Sequence, residues 1–177
     1  MGLFLYYRAY VNSLLKILRA LVNALGSSPK KTSTPGTPSP GQRGREATVE
    51  VSPRSLGPVT VTYVPHRDGA ADPGEVVWTW VPFEENDGRG KDRPVLIVAA
   101  LPGGDVLAVQ LTSKEHAGGD YLSLGAGPWD AQGRPSWVIL DRVFRVRPGG
   151  MRREAASLDR KNFDRVASAL RSRYGWR

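Results

Sequence analysis

The sequence predicts a mainly β domain closed by one C-terminal helix, an α+β chain built on a small, partly open barrel. Two observations predict the barrel and a third sets it apart from what precedes it. Short runs rich in Val, Ile, Leu, Trp and Tyr recur between residues 59 and 146, punctuated by Gly, Pro and Asp. A single helical periodicity follows Pro148-Gly149-Gly150 and ends the chain. Ahead of both lie an amphipathic segment over 1–26 and a Pro/Ser/Thr/Gly-rich stretch over 27–58. The 177 residues fit one compact domain, 59–177, with two appendages.

In the first 26 residues Leu3, Tyr7, Tyr10, Leu14, Ile17 and Leu21 recur at 3–4 spacing, and Arg8, Asn12, Lys16, Arg19 and Asn23 form one polar stripe. Gly26 supplies a stop. A cation near mid-span costs roughly 2.5–3.5 kcal/mol on insertion scales, so this helix is expected to lie on a membrane surface rather than span it. Packing on its own domain or self-association is the competing expectation. Residues 27–58, centred on SSPKKTSTPGTPSPGQRGR, bury too little apolar surface to offset their ordering entropy, and a disordered linker is expected, with no strand assigned to TVEV at 48–51.

Strands are expected at 59–64, 75–83, 94–101, 105–112, 120–124 and 136–146. Pro102-Gly103-Gly104-Asp105 joins the third and fourth of these as a hairpin. In the closing helix Leu158, Phe163, Val166, Ala167, Leu170 and Tyr174 form the apolar face. Asp159 and Asp164 come early and Arg171, Arg173 and Arg177 late, as the helix dipole favours.

Several chemistries are excluded by composition. With no cysteine there is no disulfide, thiolate zinc site or cysteine nucleophile. Two histidines, His66 and His116, leave little for a histidine-rich metal centre, and no metal or other cofactor is expected. The net charge of +8 is unevenly spread: +6 over 1–58, −6 over 59–141 and +8 over 142–177. A basic end beside an acidic middle suits a polyanion, a membrane surface or an acidic protein partner, and equally a solvated Arg-rich helix.

Two segments stand out as candidate chemistry. The Gly-rich loop Glu84-Glu85-Asn86-Asp87-Gly88-Arg89-Gly90-Lys91-Asp92 leads into Arg93-Pro94. Pro94 lacks a ladder donor and holds Arg93 extended at a strand's start, beside whatever the loop covers. A rim arginine paired with Glu84, Glu85 or Asp87 explains the same residues. Thr112-Ser113-Lys114-Glu115-His116 places two hydroxyls, a cation and an imidazole at a strand end, where hydroxyls commonly cap turns. Residues 118–135 form a Gly-rich excursion in which Trp129 either stacks on a base or packs into the loop.

Pro73-Gly74-Glu75-Val76-Val77-Trp78, then the Gly-containing loop, then Arg93-Pro94-Val95-Leu96-Ile97-Val98 resembles the opening of the PemK/MazF toxins. The likeness continues through Val109-Gln110-Leu111-Thr112-Ser113 and Ser136-Trp137-Val138-Ile139-Leu140-Asp141 to the Leu158-Asp159 helix, in the family's order, over about 73–174. The chain departs from it in having Arg89-Gly90-Lys91-Asp92 where members often carry Gln-Gly-Gly, in the 118–135 excursion, and in its N-terminal additions.

The resemblance implies an SH3-like barrel that dimerises, cuts single-stranded RNA at short sequences without metal, and is restrained by a protein antitoxin. The family's catalytic positions fall on Arg93 and Thr112, and Arg89, Lys91, Ser113, Lys114 and His116 are the neighbouring candidates for RNA contact. The expected setting is the cytoplasm; separately from the resemblance, the Arg8–Lys16–Arg19 stripe leads us to expect residues 1–26 at the inner membrane face. Two other readings stay open: a non-catalytic barrel that binds nucleic acid or protein, tethered by its N-terminal helix, and a poison of a DNA enzyme.

Overall fold

The structure, a computed structural model, describes residues 38–66, 70–115 and 118–177, with 153–155 described by backbone alone. The expected helix over 1–26 and the linker residues 27–37 lie outside the described residues. Among the described residues are seven strands and one α-helix: β1 (Val49–Val51), β2 (Glu75–Pro82), β3 (Gly90–Ala100), β4 (Val106–Thr112), β5 (Tyr121–Gly125), β6 (Ser136–Val146), β7 (Met151–Ser157) and α1 (Arg160–Tyr174). All pairings are antiparallel, in the order β1-β6-β4-β3-β2-β7, and β5 also pairs with β6.

Alternation along each strand sorts the apolar side chains into two cores. Val77, Val95, Ile97, Ala108, Phe144 and Val146 form one of them. Val76, Leu96, Val98, Leu107, Val109 and Val143 share the other core with Phe163, Val166, Ala167 and Leu170 of α1. Every residue of β4 is buried, as expected for a strand covered on both faces. The 95–101/106–111 hairpin forms with Ala100 opposite Val106. Asp159 caps α1 by accepting the Asn162 N–H at 2.9 Å, and Gly175 ends it in the left-handed conformation.

Three expectations are corrected. First, the folded unit begins at Pro38, not at 59. Residues 38–58, read as the end of a disordered linker, are ordered because the sheet offers them two open edges. The Trp80 N–H donates to the Pro40 carbonyl at 3.0 Å on the β2 side, and β1 pairs with Val143–Arg145 of β6 on the other. The strap thus bridges both edges of the curl. A side chain at Gly41, whose φ is +80°, would collide with the hydroxyls of Thr48 and Thr79, so the close approach requires glycine.

Second, residues 59–64 form no strand. They run extended against the chain's own end, with Val61 N–H donating to the Arg177 carbonyl at 2.7 Å and Arg177 N–H to that of Val59 at 2.9 Å. Third, residues 151–157 join the sheet instead of the closing helix. The 3-10 turn Pro148–Gly150 reverses the chain, and Met151–Ser157 take up the free edge of β2, from Thr79↔Met151 to Glu75↔Ser157. That edge pairing overrides the helix preference of Arg, Glu and Ala. Leu158 is buried but precedes the helix.

Among the described residues no helix is long and apolar enough to cross a membrane.

Candidate functional site

The site grows from a break in the β3–β4 ladder. β3 begins at Gly90, paired with Pro82, so the connection from β2 shortens to residues 83–89. Gly90 is needed there, since a Cβ would press on the Val81 carbonyl and the Trp80 indole. Toward β2 the ladder runs on through Trp78↔Pro94 and Thr79↔Arg93. Toward β4 it stops at Val95↔Gln110, next to the one residue that has no N–H to give, Pro94. Two residues further along, Arg93 and Thr112 face a gap instead of a ladder.

Arg93 is half-buried and lines two cavities. The smaller, about 70 Å³, also takes in Trp78, Pro94, Thr112, Ser113 and Trp129. The larger, about 420 Å³ and open to solvent, is walled by Phe83, Glu84, Glu85, Arg89, Gln110 and Arg142. Among the described residues no hydrogen bond or ion pair ties down the Arg93 guanidinium. The carboxylates expected to pair with it are committed elsewhere or stand apart. Asp87 takes Arg89 at 2.6 Å, while Glu84 and Glu85 line the larger cavity without pairing with Arg93; the neighbouring Asp92 takes Arg152 at 2.7 Å. The Arg89 N–H and guanidinium hold the Asp87 carboxyl below its usual range.

Thr112 is 8% exposed, and its Oγ1 accepts the Lys114 N–H at 3.2 Å. That bond is the turn cap expected of a hydroxyl at a strand end, and it leaves the hydroxyl proton free to donate.

The other candidates separate. Arg89 and Lys91 are exposed on the rim, flanking the Phe83 ring at 5.9 and 6.0 Å from its centroid. Ser113 and Lys114 are exposed, Ser113 lining the smaller cavity. His116 lies outside the described residues. Trp129 does not offer a stacking face: it is 4% exposed, with its indole N–H donated to Ser136 Oγ at 3.0 Å.

Three contributors were missed in the sequence: Phe83, Gln110 and Arg142. A signal for the last two was present, since each is a large polar side chain interrupting a largely apolar strand run, VLAVQLT and VILDRVF. Arg142, 9% exposed, donates to both oxygens of Glu50 and to the Pro82 carbonyl, and its guanidinium stacks 5.0 Å from the centre of the Phe144 ring. Burial opposes its charge, yet the Glu50 carboxylate, with Glu84 and Asp141 beyond, raises its pKa on balance. Arg142 is thus a fixed wall, whereas Arg93 is a free cation.

A curled antiparallel sheet closed by one C-terminal helix, with a free arginine and a capped threonine at a gap in its ladder, defines a class: small, open barrels with a polar site at the rim. The model of the PemK-like, MazF-like toxin of type II toxin–antitoxin systems matches residues 72–173, more than half of the chain. The chain belongs to that family.

No curated protein matches the sequence. Among solved structures it is similar to an endoribonuclease from a mycobacterial species in complex with its cognate antitoxin, at 19% identity and TM-score 0.47, over 60% of this chain and 96% of that one. It is also similar to MazE–MazF from Deinococcus radiodurans, at 20% identity and TM-score 0.46, over 61% and 99%. MazF alone from the same organism gives 22% identity and TM-score 0.45, over 60% and 97%.

Proposed function

We propose that this toxin is a metal-independent endoribonuclease that cleaves single-stranded RNA at short sequences, with Arg93 and Thr112 at the reacting phosphate. The observation that carries the reading is the free, half-buried Arg93 beside Thr112 at the ladder gap. RNA brings its own nucleophile. The 2′-oxygen attacks phosphorus as its proton passes to solvent water, the 5′-oxygen of the next nucleotide leaves and takes up a proton from water, and the products are a 2′,3′-cyclic phosphate and a 5′-hydroxyl. The protein then has to hold the phosphate and offset the charge that builds on it.

A guanidinium suits that task, since it donates two parallel hydrogen bonds to a phosphate and cannot lose its proton near neutrality. Arg93 is therefore no general base; its role is electrostatic. Thr112, with its oxygen occupied by the Lys114 N–H, donates its hydroxyl proton to a second phosphate oxygen. Arg89, Lys91, Ser113 and Lys114, with His116 beyond, extend the contact along the strand. A protein antitoxin restrains the activity, a second copy of the chain completes a homodimer, and the toxin works in the cytoplasm with residues 1–26 at the membrane surface.

The test is cleavage of a long single-stranded RNA by the full chain in EDTA, with 5′ ends mapped and Arg93→Ala run alongside. Cuts at a recurring short sequence, absent with Arg93→Ala, are expected. Folded, antitoxin-free protein that cuts nothing at high concentration sinks the ribonuclease reading. For residues 1–26, flotation on anionic vesicles as a fusion to a fluorescent protein is decisive: no co-migration at low salt removes the membrane contact.

A further inference from the structure

We propose that the larger cavity receives one unstacked base of the RNA, and that Gln110 reads that base's edge and sets the cleavage sequence. The proposal rests on the ribonuclease reading and adds the group that selects the substrate.

Gln110 is anomalous in its strand. It is 8% exposed, every other member of β4 but Thr112 is apolar, and its Oε1 is fully buried with no hydrogen-bond partner among the described residues. Buried amide groups are nearly always paired, because an unpaired one forfeits its hydration without return. The strand geometry explains why this one is not. On the β3 side Gln110 opposes Val95, which has no polar side chain to offer. On the β6 side the register jumps from Val109↔Val143 to Leu111↔Val138, so Gln110 meets no cross-strand partner there. The amide is left at the wall of the cavity it shares with Arg93 and Phe83.

The cavity has the features of a base site. Its volume of about 420 Å³ falls in the range of small-ligand pockets. Phe83 gives it a half-buried aromatic ring of the kind on which unpaired bases stack. Arg142 cannot compete for the phosphate, because Glu50 and Pro82 already hold it. Arg93 is left for the phosphate, two residues or about 7 Å along the strand from the Val95↔Gln110 pair, a distance that a single nucleotide bridges from phosphate to base. A side-chain amide carries a donor and an acceptor side by side and pairs with a base edge through both.

Full-length protein is tested with Gln110→Leu and Gln110→Glu, the second chosen because it keeps size and polarity if the first fails to fold. Two readouts are taken: cleavage-site sequences on a long RNA, and binding of uncleavable 2′-O-methyl oligonucleotides that differ at one base beside the cut. A bidentate amide–base contact discriminates by roughly 5- to 150-fold. Gln110→Leu is expected to lower the best-to-worst ratio at one position to near one. Gln110→Glu, an acceptor only, is expected to shift the preference toward bases that present donors. Unchanged preference in both folded variants overturns the proposal while leaving the ribonuclease intact. If the wild type cuts nothing but binds oligonucleotides with a base preference that depends on Gln110, the ribonuclease reading fails and the base site stands. Binding indifferent to base overturns it in either case.

Discussion

Glu50 and Arg142, 92 positions apart, form a fork in which the guanidinium Nε lies 3.1 and 3.2 Å from the two carboxylate oxygens. The same guanidinium donates through Nη2 to the Pro82 carbonyl at 2.9 Å. One side chain therefore fastens the N-terminal strap, the end of β2 and the middle of β6. This is the joint that closes the curl of the sheet, and it stands directly behind the larger cavity.

Glu50→Ala removes the partner of a nearly buried cation. Loss of one member of a fully buried pair costs roughly 3–5 kcal/mol, but Glu50 is 41% exposed, so solvent screens part of the effect. We expect about 2 kcal/mol of destabilisation by chemical denaturation and less for Glu50→Gln, which retains an acceptor. A chain starting at residue 59 lacks the whole strap and is expected to unfold more easily than one starting at Pro38. Equal midpoints for the two truncations would falsify the strap's structural role.

Arg93 makes the opposite prediction, because nothing in the fold depends on its charge. Arg93→Ala should leave the unfolding midpoint within about 0.5 kcal/mol of wild type while lowering kcat by roughly 100- to 1000-fold. Arg93→Lys keeps the charge but not the fork and should recover only part of the rate. Thr112→Val tests the hydroxyl alone, at similar volume. A fall in kcat with KM unchanged is expected, and a loss confined to stability would make Thr112 only a turn cap.

The particular residues show what a sequence can and cannot reveal here. The strands from Glu75 to Val146 were legible because their β-branched and aromatic runs are bounded by turn residues, and Arg93 and Thr112 could be singled out as candidates because they fall on a family pattern. Met151–Ser157 was illegible: its Arg, Glu and Ala favour a helix, and only the unpaired edge of β2, distant in the chain, draws it into the sheet. The strap was hidden for the same reason, since Pro38–Val51 has the composition of a linker and acquires order only from two edges it cannot encode locally. Gln110 and Arg142 were visible as polar interruptions, but their cavity exists only through the register jumps in β6.

Thr79 is fully buried at the centre of the strap's docking surface. Its hydroxyl donates to the Gly150 carbonyl at 2.6 Å, so the Thr48 hydroxyl must donate to Thr79 Oγ1. Thr79→Val strands both partners and should cost about 1–3 kcal/mol. Thr48→Val should cost less, since Thr79 keeps its bond to Gly150. In a double-mutant cycle the two substitutions should couple, and strict additivity would mean that the hydroxyl pair does not fasten the strap.

Asp159 carries a pH prediction with a definite sign. The Asn162 N–H, then the Asn162 side chain, stabilise its carboxylate and lower its pKa from the ordinary 3.8. Because the folded value is the lower one, the cap's contribution is complete above the unfolded value and is lost as pH falls through the folded one. Asp159→Ala should therefore cost about 1 kcal/mol at neutral pH, typical of a lost N-cap. The gap between wild type and variant should stay constant down to about pH 4 and narrow below it. Asp159→Asn, a good cap without a charge, should lose less at neutral pH, and its own margin over Asp159→Ala should stay constant through the acid range. Denaturant midpoints measured from pH 7 to pH 2 on the three proteins decide it, and a gap that widens in acid rules out the charged cap as its source.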